Sequence, residues 1–145
     1  MAANTDDEDD LTTYALTGTS LSPRRMRIET DDAEFVIGDD ASPVEYLLGS
    51  LLACVNSTGA LVARDMGIDL EELTGTIEGT VDYAAFLGEE TDARAGYQQV
   101  TISLTVDADA DDETLEEWLA AVEQRCPVSD NVGNGTPLGL EFERV

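Results

Sequence analysis

Ser42-Pro43-Val44-Glu45-Tyr46-Leu47-Leu48-Gly49-Ser50-Leu51-Leu52-Ala53-Cys54 is the stretch on which the fold turns. Ser42 is a good N-cap, Pro43 suits the first helical position, and Glu45 sits three residues after the cap, so the spacing predicts a helix start. From Tyr46 to Ala63 no residue is charged. That run just reaches the length of a membrane-spanning helix. It also carries Gly49, Ser50, Asn56, Ser57, Thr58 and Gly59, is flanked closely by charge and stands alone. Apolar residues lie nearly all round it, which fits a helix buried at the centre of a domain or a dimer. Gly67, after Met66, is the expected C-cap.

Outward from this helix the pattern changes to period two. Thr12–Ser20 alternates weakly and reads as a strand, Arg24–Thr30 places Met26 and Ile28 on one face, and Glu34–Ile37 is a third short strand. Thr74–Tyr83 and Tyr97–Ala108 read as two long strands, joined by an acidic, glycine-containing loop over Phe86–Ala95. Asp111–Arg125 is a second helix, with acids at its start and an apolar stripe of Leu115, Trp118, Leu119 and Val122. It runs into Cys126-Pro127, where a turn would expose the thiol. A Gly/Asn-rich bend and a last short strand over Pro137–Val145 complete the pattern. The order predicts an α+β fold with antiparallel sheet packed on helices, forming a single domain over residues 11–145. Residues 1–10 form an acidic tail with the composition of disorder.

Charge is the second strong signal. The 145 residues carry a net charge of −25, from 32 acidic and 7 basic residues, the latter all Arg, with no His. Such a charge opposes compaction at low ionic strength. Molar salt shortens the Debye length to about 3 Å and removes most of that cost. The acids are spread along the whole chain, so we read halophilic adaptation, in preference to an acidic mimic of nucleic acid. The surface also argues against nucleic-acid partners, which need basic patches. With no secretory leader visible and the apolar run read as core, the expected location is the cytoplasm, without a membrane partner. Zinc is not expected, since His is absent and two distant thiols are too few for a four-ligand site. No cofactor motif is present.

Two cysteines in a cytosolic chain suggest thiol chemistry rather than a structural staple. A helical Cys54 shares its face with Leu47, Ser50, Leu51, Ser57, Thr58 and Leu61. Alone it would read as a small buried hydrophobe. A second thiol, Cys126, at a helix end suggests a pair in which one thiolate attacks an O–O bond and the other condenses with the resulting sulfenic acid. A thiol ionises readily beside a cation, and here that cation must be an arginine. Arg24, Arg25 and Arg27 are clustered, and Arg94 stands alone. Strand alternation puts Arg25 and Arg27 on one face, while loop spacing also allows Arg24.

The stretch Ser42–Cys54 resembles the SP-x-E-x-LL…C helix of the OsmC/Ohr family, and Glu123-Gln124-Arg125-Cys126-Pro127-Val128-Ser129 resembles its second-cysteine motif. The element order is similar over nearly the whole chain after the acidic tail. The resemblance implies an OsmC-like fold, with antiparallel sheets on a long central helix. It implies an intertwined homodimer with two active sites at the subunit interface. It also implies reduction of organic hydroperoxides in oxidative stress defence, with Cys54 peroxidatic, Cys126 resolving, an arginine (Arg25 or Arg27) activating Cys54 and a glutamate (Glu45) orienting that arginine. A small dithiol or a protein thiol would be the reductant. In the best-defined peroxidase branches the glutamate directly follows the proline. Here Val44 fills that place and Glu45 comes one later, which is similar to the YhfA-like branch. Glu45 lies nine residues before Cys54, about 13 Å along a helix and on the opposite face. It therefore either serves a site across a dimer interface or is a helix-start acid favoured by the dipole.

Three functions follow as expectations. The first is a thiol peroxidase acting on organic hydroperoxides, favoured by the apolar wall around Cys54. The second is a non-catalytic binder of a hydrophobic ligand on the same fold. The third is a redox sensor or thiol carrier.

Overall fold

The structure is a computed structural model and describes residues 10–145. The acidic tail expected over residues 1–10 thus lies, but for Asp10, outside the described residues. The chain divides into two compact units, Met1–Tyr46 and Leu47–Val145.

The first unit is an antiparallel sheet in the order β1-β2-β3, formed by β1 (Thr17–Ser22), β2 (Arg25–Glu29) and β3 (Glu34–Ile37). Its register pairs Thr17 with Glu29 and Met26 with Ile37. β1 starts later than its alternation suggested. The hairpin turn at Pro23-Arg24 sets the pairing, and residues 12–16 have no strand opposite them. Arg24 accordingly sits in the turn, not in β2.

The helix α1 (Pro43–Met66) begins where its cap predicts. The Ser42 N–H and Oγ donate to Glu45 Oε1 at 3.0 and 2.7 Å, and the Glu45 N–H reaches Ser42 Oγ at 3.4 Å, a reciprocal capping box. At the far end Gly67 adopts φ +71°, while the N–H groups of Gly67 and Ile68 bond to Arg64 and Ala63 carbonyls. This is the glycine-terminated arrangement anticipated at that position.

In the second unit β4 (Leu70–Val81) and β5 (Tyr97–Ala108) form a two-stranded antiparallel sheet, with Ile77 opposite Ile102. Two helices follow, α2 (Asp112–Arg125) and α3 (Pro127–Gly133). Asp111 caps α2 by accepting the Thr114 N–H at 2.8 Å. The core joins Leu51, Val55, Val62 and Ala63 of α1 to Trp118 and Val122 of α2, with Leu73, Ile77, Ile102, Leu104 and Val106 of the sheet packed against them. α1 is long and apolar enough to cross a membrane by length and composition. Its buried face here serves as the centre of a protein core.

Two expectations at the C-terminal end are corrected. The bend after Cys126 is a further seven-residue helix, because Pro127 at its first position pre-sets a helical φ. Pro137–Val145 forms no strand. Leu138, Leu140 and Phe142 alternate, yet stand 86%, 93% and 86% exposed, since alternation without a partner ladder makes no sheet.

Candidate active site

Trp118 determines how α2 meets α1. Its Nε1 donates to the Gly59 carbonyl at 2.8 Å, a buried bond that satisfies the indole. Only glycine permits this approach, because a Cβ at position 59 would stand 2.9 Å from the Trp118 ring. Val122 lies one turn beyond Trp118 and Cys126 one turn beyond that, so all three share the buried face of α2. Arg125 adds an exposed link to α1, donating to Asp65 at 3.2 Å.

Cys126 is therefore buried, at 1% exposure, and the expectation of a thiol opened by a turn is corrected. It closes α2 through its N–H to the Val122 carbonyl and opens α3 by accepting the Asp130 N–H. This double role holds its backbone in place. Cys54 is half-buried on α1, and both cysteines are free. The two thiols are near enough to influence each other's ionisation. Thr58, one turn after Cys54, places its hydroxyl 4.0 Å from the Cys54 sulfur.

The two thiols differ electrostatically. Burial by itself pushes the Cys54 thiol up, but the Val128 N–H, the Cys126 thiol and the Thr58 hydroxyl together outweigh it and hold its pKa below the ordinary thiol value. Burial pushes the Cys126 thiol up, and the neighbouring Cys54 pushes it further, against the opposing Ser129 N–H and Thr58 hydroxyl. Cys54 is thus the member that ionises first. A proton left on Cys126 helps to hold the Cys54 thiolate.

The remaining sequence-selected residues have neighbours of their own. Arg25 pairs with Asp39 in the first unit. Arg27 stands 3.5 Å from Glu29 and 3.8 Å from Glu34, and its Nε is buried without a hydrogen bond. Glu45 is held in the capping box, and its Ser42 partners pull its pKa below the usual carboxylate range. Arg94 donates to the Tyr97 carbonyl at 3.3 Å. An apolar groove of about 780 Å³ in the second unit, lined by Leu51, Val55, Ile102 and Trp118, reaches Cys126. Among the described residues no group of His, Cys, Asp or Glu could hold a metal ion. Sequence reasoning had Thr58 only as a face neighbour of Cys54 and missed Gly59 and the Val128 N–H. The signals for them were a threonine one turn from the cysteine and a glycine inside the uncharged run.

Residues 37–141 match the family described as OsmC-like protein. The chain belongs to that family. Its fold is shared with solved OsmC-like structures. An OsmC-like protein from Mycoplasma pneumoniae superimposes with a TM-score of 0.74 at 18% identity, over 86% of this chain and 89% of that one. An organic hydroperoxide resistance protein OsmC from Legionella pneumophila gives 0.60 at 18%, over 84% and 91%. One from Elizabethkingia anophelis gives 0.59 at 20%, over 86% and 91%. Among curated proteins none matches the sequence. The OsmC-like fold accounts for the mixed α+β architecture, with antiparallel sheets and long α1, that the sequence pattern predicted.

Proposed function

We propose that this OsmC-like protein is a thiol peroxidase that reduces organic hydroperoxides, with Cys54 as the attacking thiolate and Cys126 as the resolving thiol. The observation that carries this reading is a pair of free, neighbouring thiols whose pKa values are pushed apart. The hydroperoxide-resistance names of its structural relatives support the substrate class. In this reading the Cys54 thiolate attacks the distal peroxide oxygen. An S–O bond forms, the O–O bond breaks, and the alkoxide leaves as alcohol after taking a proton. Cys126 then attacks the sulfenic sulfur, an S–S bond forms and water departs. A small dithiol or protein thiol returns two electrons and two protons to the disulfide.

The same proposal covers the surroundings. We assign the protein to the cytoplasm of a salt-adapted cell and to a homodimer, which would cover exposed apolar side chains such as Leu47 and Leu61 of α1. In this reading Arg25 or Arg27 supplies the cation that assists Cys54, and Arg27 would first have to leave Glu29 and Glu34. Arg25 would first have to release Asp39. Glu45 acts in this reading as the helix-start acid.

The test is titration of the reduced protein with cumene hydroperoxide and hydrogen peroxide in molar KCl, following thiol loss and disulfide formation. We expect cumene hydroperoxide to oxidise Cys54 much faster than it oxidises a free thiol, and Cys126→Ser to accumulate a sulfenic acid at Cys54. Reaction at the rate of a free thiol would remove the peroxidase reading. The groove at Cys126 supports a second reading, a binder of hydrophobic ligands, and saturable binding of an apolar probe without peroxide reactivity would favour it.

A further inference from the structure

We propose that Thr58 is a positioning residue of the thiol centre, whose hydroxyl holds the Cys54 sulfur and donates the hydrogen bond that its thiolate requires. The inference rests on Cys54 being the reacting thiol. A threonine inside a helix commonly turns its hydroxyl back to the carbonyl four residues earlier. Four residues before Thr58 is Cys54, and the hydroxyl contact found there is to the sulfur, at 4.0 Å. Thr58 is only 7% exposed, on a helix face otherwise buried through Leu51, Val55 and Val62. Water therefore has little room to take over the bond, and a buried hydroxyl persists where it has a partner.

The direction of donation follows from ionisation. While Cys54 carries its proton, either atom can be the donor. Once Cys54 is a thiolate it can only accept, so Thr58 must donate. The hydroxyl also reaches Cys126, and it lowers the pKa of both thiols. Burial and the adjacent Cys54 nevertheless keep Cys126 the protonated member. Thr58 thus acts on both thiols, and it is the buried polar side chain among the described core residues. The β-branch limits χ1 to two favoured rotamers in a helix, so holding the hydroxyl on the sulfur costs little further entropy.

Three variants test this in molar KCl: Thr58→Val, which exchanges the hydroxyl for a methyl of similar size, Thr58→Ser, which retains it, and Thr58→Ala as a second hydroxyl-free form. The readout is the pH dependence of Cys54 alkylation by iodoacetamide, resolved at that cysteine by peptide mass spectrometry, with far-UV circular dichroism to establish folding. We expect Thr58→Val and Thr58→Ala to slow alkylation at neutral pH about three- to tenfold, the value of one hydrogen bond, and to move the profile to higher pH. Thr58→Ser stays within about twofold of the parent by the same argument. A Thr58→Val profile superimposed on the parent's overturns the proposal. So does a Thr58→Ser profile shifted as far as that of Thr58→Val, since the hydroxyl would then be irrelevant. Alkylation reads ionisation and not turnover, so a protein without peroxidase activity would still give one result or the other.

Discussion

The arginine-bearing sheet and the thiol-bearing core solve opposite problems. In the first unit the cations face acids: Arg25 meets Asp39, and Arg27 lies between Glu29 and Glu34. In the second unit the Cys54 sulfur is met by neutral donors, the Val128 N–H, the Cys126 thiol and the Thr58 hydroxyl. In a chain with 32 acids and 7 arginines, an exposed cation readily finds a carboxylate. Ion pairs of that kind are screened in molar salt, whereas hydrogen bonds from packed neutral groups are screened little. A thiolate held by neutral donors keeps its stabilisation at high ionic strength better than one held by an exposed charge.

The largest effect should come from the contact that brings the thiols together. Trp118→Ala removes a ring that is 2% exposed and, with it, the indole donor to the Gly59 carbonyl. We expect a loss of about 3–5 kcal/mol in denaturant unfolding, by the usual cost of emptying an aromatic site. Gly59→Ala should cost about 1–3 kcal/mol through its clash with the same ring, offset in part by the better helix propensity of alanine. Both variants should also slow disulfide formation between Cys54 and Cys126. If Trp118→Ala unfolds like the parent but Arg27→Ala does not, the sheet and not the core carries the stability, and the comparison reverses.

How far the sequence revealed this follows from the range of each signal. The start of α1 is local: Ser42, Pro43 and Glu45 name it, and Gly67 names its end. The alternation of Tyr97–Ala108 is equally plain, and β5 has those bounds. β4 begins at Leu70, ahead of the alternating Thr74, because β5 continues as a partner as far as Ala108. Pro137–Val145 fails for the converse reason, having a strand pattern with nothing opposite it. α3 escapes a sequence reading because Pro127-Val128-Ser129-Asp130-Asn131 has turn composition, although proline is a favoured first helical residue. The meeting of the thiols is the least legible feature. It depends on a bond between Trp118 and Gly59, 59 residues apart, and no period or motif marks so distant a contact.

A smaller effect separates the helix caps from the thiols by pH. Ser42→Ala should cost about 1 kcal/mol, since it removes the side-chain half of the capping box. The Glu45 partner has a pKa lowered by its Ser42 hydrogen bonds. A carboxylate with a depressed folded pKa contributes stability that is complete above its unfolded value of about 4.3 and is lost as the pH falls through the folded value. The difference between the parent and Ser42→Ala should therefore narrow in acid and be constant near neutrality, as measured by thermal unfolding at fixed KCl. A difference that grew in acid would mean that Glu45 is held by something other than Ser42.

The smallest effect is the one that decides the comparison. The Arg25–Asp39 pair is exposed on both sides, at 43% and 44% of side-chain surface. Its coupling, read as the non-additivity of melting temperatures among Arg25→Ala, Asp39→Ala and the double variant, should fade toward zero as KCl rises. The pH midpoint of Cys54 alkylation should not rise across the same series, and should fall as KCl screens the chain's net negative charge, taken over salt concentrations at which circular dichroism shows the chain folded. A midpoint that holds or falls with salt, beside a vanishing ion-pair coupling, is what neutral donors produce. A midpoint that climbs with salt would mean that a screened positive charge, with Arg27 the first to examine, holds the thiolate in solution. Arg27→Ala would then raise the midpoint in the lowest salt and leave it unchanged in the highest.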